Sequence, residues 1–179
     1  MKQKILLHIC CAPDGLYVIN LLRENYKICG YYYNPNIHPL EEYQLRLQET
    51  RKIMDKINIT LIEEIYDKDY WFQLTDKFKQ EPEKGMRCNI CYAMRLKKTA
   101  QKAAQLNFDI YSTVMSVSPW KKADVLNRIG RMFGRKYHID FLEANFKKKD
   151  GFKKSVELSK EYEMYRQNYC GCLYSKRNS

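Results

Sequence analysis

Residues 4–11 read KILLHICC, an almost wholly apolar run close to the start of the chain. Residues 26–34, YKICGYYYN, form a second such run, and an amphipathic stretch over 14–24 lies between the two. Short apolar runs of this kind predict buried strands, whereas apolar residues spaced three and four apart predict a helix. The chain therefore begins with a strand–helix–strand unit, in which the two strands run parallel.

The same alternation continues along the rest of the chain. We predict further strands at Asn58–Tyr66, Phe108–Val114 and His138–Glu143, and further helices at about Leu40–Ile57, Asp69–Lys79, Cys88–Leu106, Trp120–Phe133 and Ser155–Arg166. Ser118 is the predicted N-cap of the fourth of these helices, with Pro119 at its first position. Alternating strands and helices indicate an α/β fold with a doubly wound parallel sheet. We expect a single domain over 1–179 that ends in a cysteine-bearing tail from about residue 168.

The chain is strongly basic. It has 32 Lys and Arg against 21 Asp and Glu, a formal net charge of +11 over 179 residues. Such a charge favours a polyanionic partner, with RNA as the first candidate; the alternative is a basic protein whose charge has no such role. The sequence contains no apolar stretch near the roughly 20 residues that span a bilayer, and its first apolar run lacks a signal-peptide cleavage pattern. We therefore expect a cytoplasmic protein with no membrane partner.

Six of the seven cysteines form three close pairs. The pairs are the adjacent Cys10 and Cys11, a C-x-x-C at Cys88 and Cys91, and a C-x-C at Cys170 and Cys172. In a reducing compartment, cysteines clustered in this way indicate metal or redox chemistry rather than structural disulfides. Cys29, the seventh, lies in the second predicted strand, where we expect a packed core thiol.

Several metal sites are compatible with these residues. A C-x-x-C pair alone serves zinc sites, redox dithiols and iron–sulfur clusters alike, but six clustered thiols exceed what one structural zinc or one four-iron cluster requires. Asp14 either adds an oxygen ligand beside the first pair or caps the helix that follows. His8, on the first strand, is expected to be a hydrogen-bonded core residue, whereas His38 lies in a loop that is better placed for chemistry.

Polar or thiol side chains follow three of the predicted strands. Cys10 and Cys11 end the first strand, Asn34 ends the second, and residues 112–118 lie at and beyond the end of the fourth. In parallel sheets, ligands bind outside the carboxyl ends of the strands. We therefore expect these segments to meet in one crevice.

Four segments together carry a family resemblance. They are LHICCAP (7–13), YNPNIHP (33–39), RCNIC (87–91) and YRQNYCGC (165–172). In this order and spacing they are similar to the QueH family of epoxyqueuosine reductases, over nearly the whole chain. The resemblance implies a sheet of the adenine nucleotide α-hydrolase type (HUP, Rossmann-like), in which a cysteine loop follows the first strand in place of a phosphate-binding loop.

The resemblance also implies a [4Fe–4S] cluster with a second metal ion beside it, which we expect to be iron. The implied metal ligands are Cys10, Cys11, Asp14, Cys88, Cys91, Cys170 and Cys172. The residues assigned to the cluster are Cys10, Cys88, Cys91 and Cys172. The residues assigned a catalytic role are Asp14 and His38.

The reaction that the resemblance implies removes the epoxide oxygen of epoxyqueuosine at the wobble position of tRNAs with a GUN anticodon. It yields queuosine and water and consumes two electrons, for which a ferredoxin or flavodoxin is the expected donor. The residues expected to contact tRNA phosphates are Lys121, Lys122, Arg128, Arg131, Lys147, Lys148 and Lys149. The alternative for these residues is a solvated helix face.

Two other functions share part of the pattern. A tRNA-binding zinc protein without redox activity would use the C-x-x-C and the basic charge but would leave Cys10, Cys11 and Asp14 without a role. A tRNA-thiolation enzyme on the same sheet would need an ATP-binding Ser-Gly-Gly loop after the first strand, where this chain has CCAPD. Epoxide reduction is therefore the preferred hypothesis.

Overall fold

A five-stranded sheet lies at the centre of the protein in a computed structural model, which describes residues 2–175. The strands are β1 (Gln3–His8), β2 (Tyr26–Tyr32), β3 (Leu61–Glu63), β4 (Ile110–Thr113) and β5 (Asp140–Phe141). Their order is β3-β2-β1-β4-β5, and all neighbours run parallel. This order confirms the doubly wound α/β fold, and it places the topological switch point, where ligands bind in such sheets, between β1 and β4.

Helices cover both faces of the sheet. They are α1 (Ala12–Leu22), α2 (Leu40–Lys56), α3 (Lys68–Thr75), α4 (Met86–Gln105), α5 (Ala123–Tyr137) and α6 (Gly151–Glu161). α1 contacts α2 and α6, whereas α4 contacts α3 and α5, so that each group of three lies together. Burial on both faces explains why β1 is a continuous apolar run, whose Ile5, Leu6 and Leu7 are completely buried. Within residues 2–175, no helix combines the length and the apolar character that crossing a membrane requires.

The start of α5 differs from the prediction. The helix begins at Ala123 with Lys122 in the N-cap position, so the assignment of Ser118 as N-cap and Pro119 as the first helical residue is wrong. The Ser118 hydroxyl instead accepts a hydrogen bond from the Trp120 amide (3.3 Å). A serine that bonds the backbone two residues ahead stabilises a turn, and this turn delays the helix.

Two other boundaries also differ. The strand predicted over 58–66 is limited to β3, because β3 lies at the edge of the sheet and pairs with only three residues of β2. α6 begins at Gly151 instead of Ser155. Its first turn, GFKK, has one large apolar residue and therefore lacks the periodicity by which a helix is recognised.

The carboxyl ends of β1 and β4 lie side by side, with His8 paired to Thr113. The His8 ring is completely buried; its Nδ1 lies 2.9 Å from Thr113 Oγ1 and its Nε2 lies 3.2 Å from the Tyr33 carbonyl oxygen. The prediction of a hydrogen-bonded core histidine is confirmed. Cys10 and Cys11 follow directly beyond this residue, at the switch point.

Candidate metal centre

The loop from β1 to α1 brings two thiols and one carboxylate together. The Sγ atoms of Cys10 and Cys11 are 4.0 Å apart, and one carboxylate oxygen of Asp14 lies within 4.8 Å of both. All three residues are buried. Cys11 occupies the N-cap position of α1, so the alternative of Asp14 as the helix cap is wrong. Thiolates and a carboxylate at these distances can hold a transition-metal ion.

The two thiols of this loop differ in acidity. The pKa of Cys10 is lowered to about 7, chiefly by its hydrogen bond with the Cys11 thiol, and burial opposes this shift. The same hydrogen bond, together with burial, raises the pKa of Cys11. Cys10 is therefore the thiol of this pair that ionises first and is the more readily available metal ligand at neutral pH.

The second pair of cysteines lies in the first turns of α4. Cys88 and Cys91 are three residues apart, which places both side chains on one side of the helix. The amide of Lys84 donates a hydrogen bond to Cys88 Sγ (3.3 Å). Burial raises the pKa of both thiols, so a metal ion that binds them must displace their protons.

The third pair lies on a tail that the NPNIHP loop after β2 holds in place. Asn36 donates a hydrogen bond to the Cys170 carbonyl (3.4 Å), and the His38 amide donates one to the Gly171 carbonyl (2.8 Å). Gly171 has a φ of +101°, and a Cβ atom there would lie 2.8 Å from Ile37 Cγ1. Only glycine tolerates both this conformation and this approach. The loop thus positions the tail cysteines.

Hydrogen bonds within the tail separate the acidities of its two thiols. The pKa of Cys170 is lowered, chiefly because the Cys172 thiol donates a hydrogen bond to its sulfur, and that bond raises the pKa of Cys172. Arg46 fixes the preceding residue, since its Nη2 donates to the Tyr169 carbonyl (3.2 Å). The last part of the predicted tail, 176–179, lies outside the described residues.

The three pairs surround two adjoining cavities. The larger, of about 270 Å³, is lined by Cys10, Asp14 and Cys170 among others. The smaller, of about 20 Å³, is lined by four thiols, those of Cys88, Cys91, Cys170 and Cys172. Residues that line both are Glu83, Arg95, Lys121 and Cys170. Five of the six paired cysteines thus line one or both cavities, with Cys170 in the shared wall, and the sixth, Cys11, lies beside Cys10.

Two buried arginines test whether the smaller cavity suits a metal centre. Arg87 and Arg95 line it, each is 2% exposed, and neither forms an ion pair in residues 2–175. Arg87 Nη1 donates to three backbone carbonyls and Arg95 Nη2 donates to Asn34 Oδ1 (2.6 Å), but the Nε atoms of both arginines are buried with no hydrogen-bond partner in that part of the chain. Buried cations are costly unless an anionic group compensates them. A metal centre held by four thiolates supplies this negative charge, so the residues fit an iron–sulfur cluster.

The size of the smaller cavity adds one requirement. Its volume of about 20 Å³ is little more than one water molecule needs. A four-iron cluster is larger, so the lining side chains would have to move apart if one were held there.

His38 lies apart from both cavities. Its ring centroid is 5.0 Å from that of Trp71 and 4.8 Å from that of Phe72, and its Nδ1 lies 3.1 Å from the Tyr66 hydroxyl. Burial lowers the pKa of His38 to about 4, so the imidazole is neutral at pH 7. His38 is not among the described residues that line either cavity. Its side chain supports the loop, and its catalytic role stays a prediction.

The seven basic residues assigned to tRNA do not form one group. Lys121 lines both cavities, and the Lys147 ammonium donates a hydrogen bond to the Lys121 carbonyl. Arg131 pairs with Glu143 (2.6 Å) and lines a separate open depression beside β5. The remaining four are exposed: Lys122, Arg128, Lys148 and Lys149. Of this set, only Lys121 lines the two cavities in the described residues, and Lys147 is hydrogen-bonded to it; the tRNA role of the set stays a prediction.

Sequence reasoning missed several residues of the larger cavity. Trp120 and Phe152 line it and are 49% and 37% exposed. Neither carries a signal in the sequence, because isolated aromatic residues are common on surfaces. Arg95 and Arg166 also line it, and they could have been found, since one follows Cys91 by a helical turn and the other lies within YRQNYCGC.

Solved structures with similar folds include a tRNA thiolase and a predicted subunit of a tRNA methyltransferase. The U34-tRNA thiolase NcsA from Methanococcus maripaludis, with its [4Fe–4S] cluster, superposes with a TM-score of 0.62 at 15% identity, over 98% of this chain and 62% of that one. A predicted subunit of tRNA methyltransferase from Methanocaldococcus jannaschii gives 0.57 at 12% identity, over 88% and 75%. At these identities the likeness shows the fold alone.

Sequence comparison identifies a family. The chain is 36% identical to the epoxyqueuosine reductase QueH of Streptococcus pyogenes serotype M1, over 99% of this chain and 72% of that one. It is 34% identical to the corresponding protein of Thermotoga maritima, over 96% and 89%. The family model described as epoxyqueuosine reductase QueH matches residues 5–178. With the cysteine segments, the fold and these relatives in agreement, this chain belongs to the epoxyqueuosine reductase QueH family.

Proposed function

We propose that this protein is an epoxyqueuosine reductase that acts on the wobble nucleoside of tRNAs with a GUN anticodon. Both C–O bonds of the epoxide break, a C=C bond forms, and the oxygen leaves as water, at the cost of two electrons and two protons. The observation that carries the proposal is the convergence of six thiols and one carboxylate at the switch point of the sheet, in a member of this family.

The two cavities suggest how these ligands are divided. The residues that would hold a [4Fe–4S] cluster are Cys88, Cys91, Cys170 and Cys172, which line the smaller cavity. The residues that would hold the second ion, which we take to be iron, are Cys10, Cys11 and Asp14. In this division Cys170 is the fourth cluster ligand, whereas the sequence predicted Cys10 in that role. When bound, the cluster supplies electrons singly, and the second ion acts as a Lewis acid toward the epoxide oxygen. The cluster carried by NcsA, on the same fold, supports this proposal.

The larger cavity is the proposed site of the wobble nucleoside. Trp120 and Phe152 offer exposed aromatic rings there. The Lys84 ammonium lies 5.1 Å from the Trp120 ring centroid, and the Arg166 guanidinium carbon lies 5.0 Å from that of Phe152. Rings with a cation beside them can stack on an unstacked base while the positive charge attracts phosphates, which is how single-stranded RNA is commonly bound. We place the reaction in the cytoplasm, with a ferredoxin or flavodoxin as electron donor.

The test is to purify the protein without oxygen, reconstitute it with iron and sulfide, and measure iron, sulfide, zinc and the visible spectrum. We expect about four sulfides per chain, as a [4Fe–4S] cluster requires, and more iron than sulfide. The loaded protein is then given tRNA that contains epoxyqueuosine and a strong chemical reductant, and the digested nucleosides are analysed by mass spectrometry. Formation of queuosine is the expected result.

Cysteine variants sharpen the test. Cys91→Ala should lose sulfide and activity, whereas Cys11→Ala should keep the sulfide and lose the iron beyond the cluster. Cys29→Ala is the matched control, because the Cys29 thiol donates to the Thr60 carbonyl (3.5 Å) on the far side of β2 and lines neither cavity in the described residues. A colourless protein that holds one zinc after reconstitution would refute the proposal and favour a tRNA-binding zinc protein.

A further inference from the structure

The Asp14 carboxylate is held by residues that lie far from it in the sequence. The Ser155 hydroxyl donates a hydrogen bond to Asp14 Oδ1 at 2.7 Å, across 141 residues. Arg166 Nη1 donates to that same hydroxyl at 3.1 Å, and Arg166 Nη2 lies 3.9 Å from Asp14 Oδ1. Ser155 is completely buried, and Asp14 is 5% exposed. These are specific contacts in the interior and not surface ion pairs.

All of these contacts use one carboxylate oxygen. Oδ1 receives the hydrogen bond and faces the guanidinium, which leaves Oδ2 with no hydrogen-bond donor in residues 2–175. A carboxylate tied by one oxygen keeps a fixed side-chain rotamer and offers the other oxygen in a fixed direction. Hydrogen bonds of this kind orient metal ligands in proteins, and their removal typically weakens metal binding about 10–100-fold.

The partners of Asp14 are themselves well supported. Ser155 lies on α6, which contacts α1, the helix that carries Asp14. Arg166 is tied through its guanidinium to the Phe152 ring, at 5.0 Å from the centroid, as well as to Ser155. The serine hydroxyl has one proton and accepts from Arg166, so the guanidinium favours the orientation in which that proton points to Asp14.

We propose that Ser155 and Arg166 are positioning residues that hold Asp14 as a ligand of the second metal ion, with Oδ2 directed toward that ion. The inference rests on the proposed function, since it assumes an ion between Asp14 and the adjacent cysteines. It predicts that the side chains of Ser155 and Arg166 are needed for the second ion but not for the cluster, although neither side chain is itself a metal ligand.

The experiment compares reconstituted wild-type protein with Ser155→Ala. Sulfide and iron are measured after gel filtration, and the iron beyond the cluster is then titrated with a chelator. Ser155→Ala should keep the wild-type sulfide content and visible spectrum while its dissociation constant for the additional iron rises about 10–100-fold. Ser159→Ala is the matched control, because Ser159 is equally part of α6 and 4% exposed, but its hydroxyl donates to the Val156 carbonyl (2.7 Å).

A second variant keeps the test decisive if Ser155→Ala does not fold. Arg166→Gln removes the charge from a side chain that is 24% exposed, and Arg166→Lys should restore part of the affinity. Wild-type affinity for the additional iron in both Ser155→Ala and Arg166→Gln would overturn this inference and leave the proposed function intact. A wild-type protein that binds sulfide and four irons but no further ion would instead overturn the proposed second metal, and this inference with it.

Discussion

Replacement of Gly151 by alanine tests how tightly α6 is docked. Gly151 is the first residue of α6, and an added Cβ would lie 1.8 Å from the Phe146 carbonyl oxygen and 2.9 Å from the Tyr17 hydroxyl. Because Cβ atoms rarely approach a neighbour closer than 3.0 Å, the helix start or the carbonyl must move by more than about 1 Å. The Ser155–Asp14 hydrogen bond, at 2.7 Å, has little room for such a shift.

The stability lost in Gly151→Ala is the sum of two effects, overpacking against Phe146 and loss of the Ser155–Asp14 hydrogen bond. Overpacking typically costs about 1–3 kcal/mol, and loss of a hydrogen bond to a charged group costs about 1.5–3 kcal/mol. We therefore expect Gly151→Ala to lower the free energy of unfolding by roughly 2.5–6 kcal/mol, which for a chain of this length lowers Tm by roughly 5–24 °C. Helix propensity alone predicts the opposite sign, because alanine is favoured over glycine by about 1 kcal/mol.

Thermal and urea unfolding of the metal-free protein, followed by circular dichroism, distinguishes the loss of stability expected from overpacking from the gain expected from helix propensity. Lys154→Ala, an exposed change on the same turn of α6, controls for the helix itself and should leave Tm within about 2 °C, as surface changes usually do. A Gly151→Ala protein that unfolds at the wild-type temperature or above it would contradict the close approach between α6 and the Phe146 carbonyl.

Three further predictions concern RNA and pH. Trp120→Ala should raise KM for the tRNA about 5–100-fold because stacking is lost, whereas Trp120→Phe should keep KM close to the wild-type value. Equal KM values for wild-type protein and Trp120→Ala would exclude a stacking role. Lys121→Gln should reduce the slope of log Kd against log salt by about 1 in filter binding, whereas Lys27→Gln, at the opposite end of the sheet, should not; equal slopes would remove Lys121 from the phosphate contacts. Burial holds the pKa of His8 well below its usual range, so the unfolded chain binds a proton that the folded chain does not. Metal-free protein should therefore lose stability in urea as pH falls below about 6.5, and a His8→Gln variant with the same pH slope would contradict this cause.

The sheet was predictable because its central strand is buried on both faces. Ile5, Leu6 and Leu7 must all be apolar in such a position, so the strand can be recognised as an apolar run in this one sequence without comparison to relatives. The ends of elements were less predictable, since single side-chain hydrogen bonds decide them. The bond from the Trp120 amide to Ser118 gave a turn where proline after serine suggested a helix start.

The candidate site was predictable in its ligands but not in its arrangement. Cysteine pairs and their spacing are local properties of a sequence, and the family segments supplied their order. The division into two cavities depends instead on contacts between distant residues, such as the His38 amide with the Gly171 carbonyl and Ser155 with Asp14. The buried Arg95 Nε, which has no hydrogen-bond partner in residues 2–175, is likewise recognisable only when burial is known.

The position of the tail cysteines has a consequence for biosynthesis. Cys10 and Cys172 are 162 residues apart in the chain but meet at one site. A ribosome that adds roughly 5–20 residues per second needs roughly 8–30 s to make that stretch, and until it ends the early thiols lack the two thiols of the tail. A cluster held by the tail cysteines, as proposed above, would therefore be completed only after translation. A message cut short before codon 170 would yield a chain with four of the six paired thiols. Such a chain could still bind a metal ion through these thiols, but it would lack two of the four proposed cluster ligands.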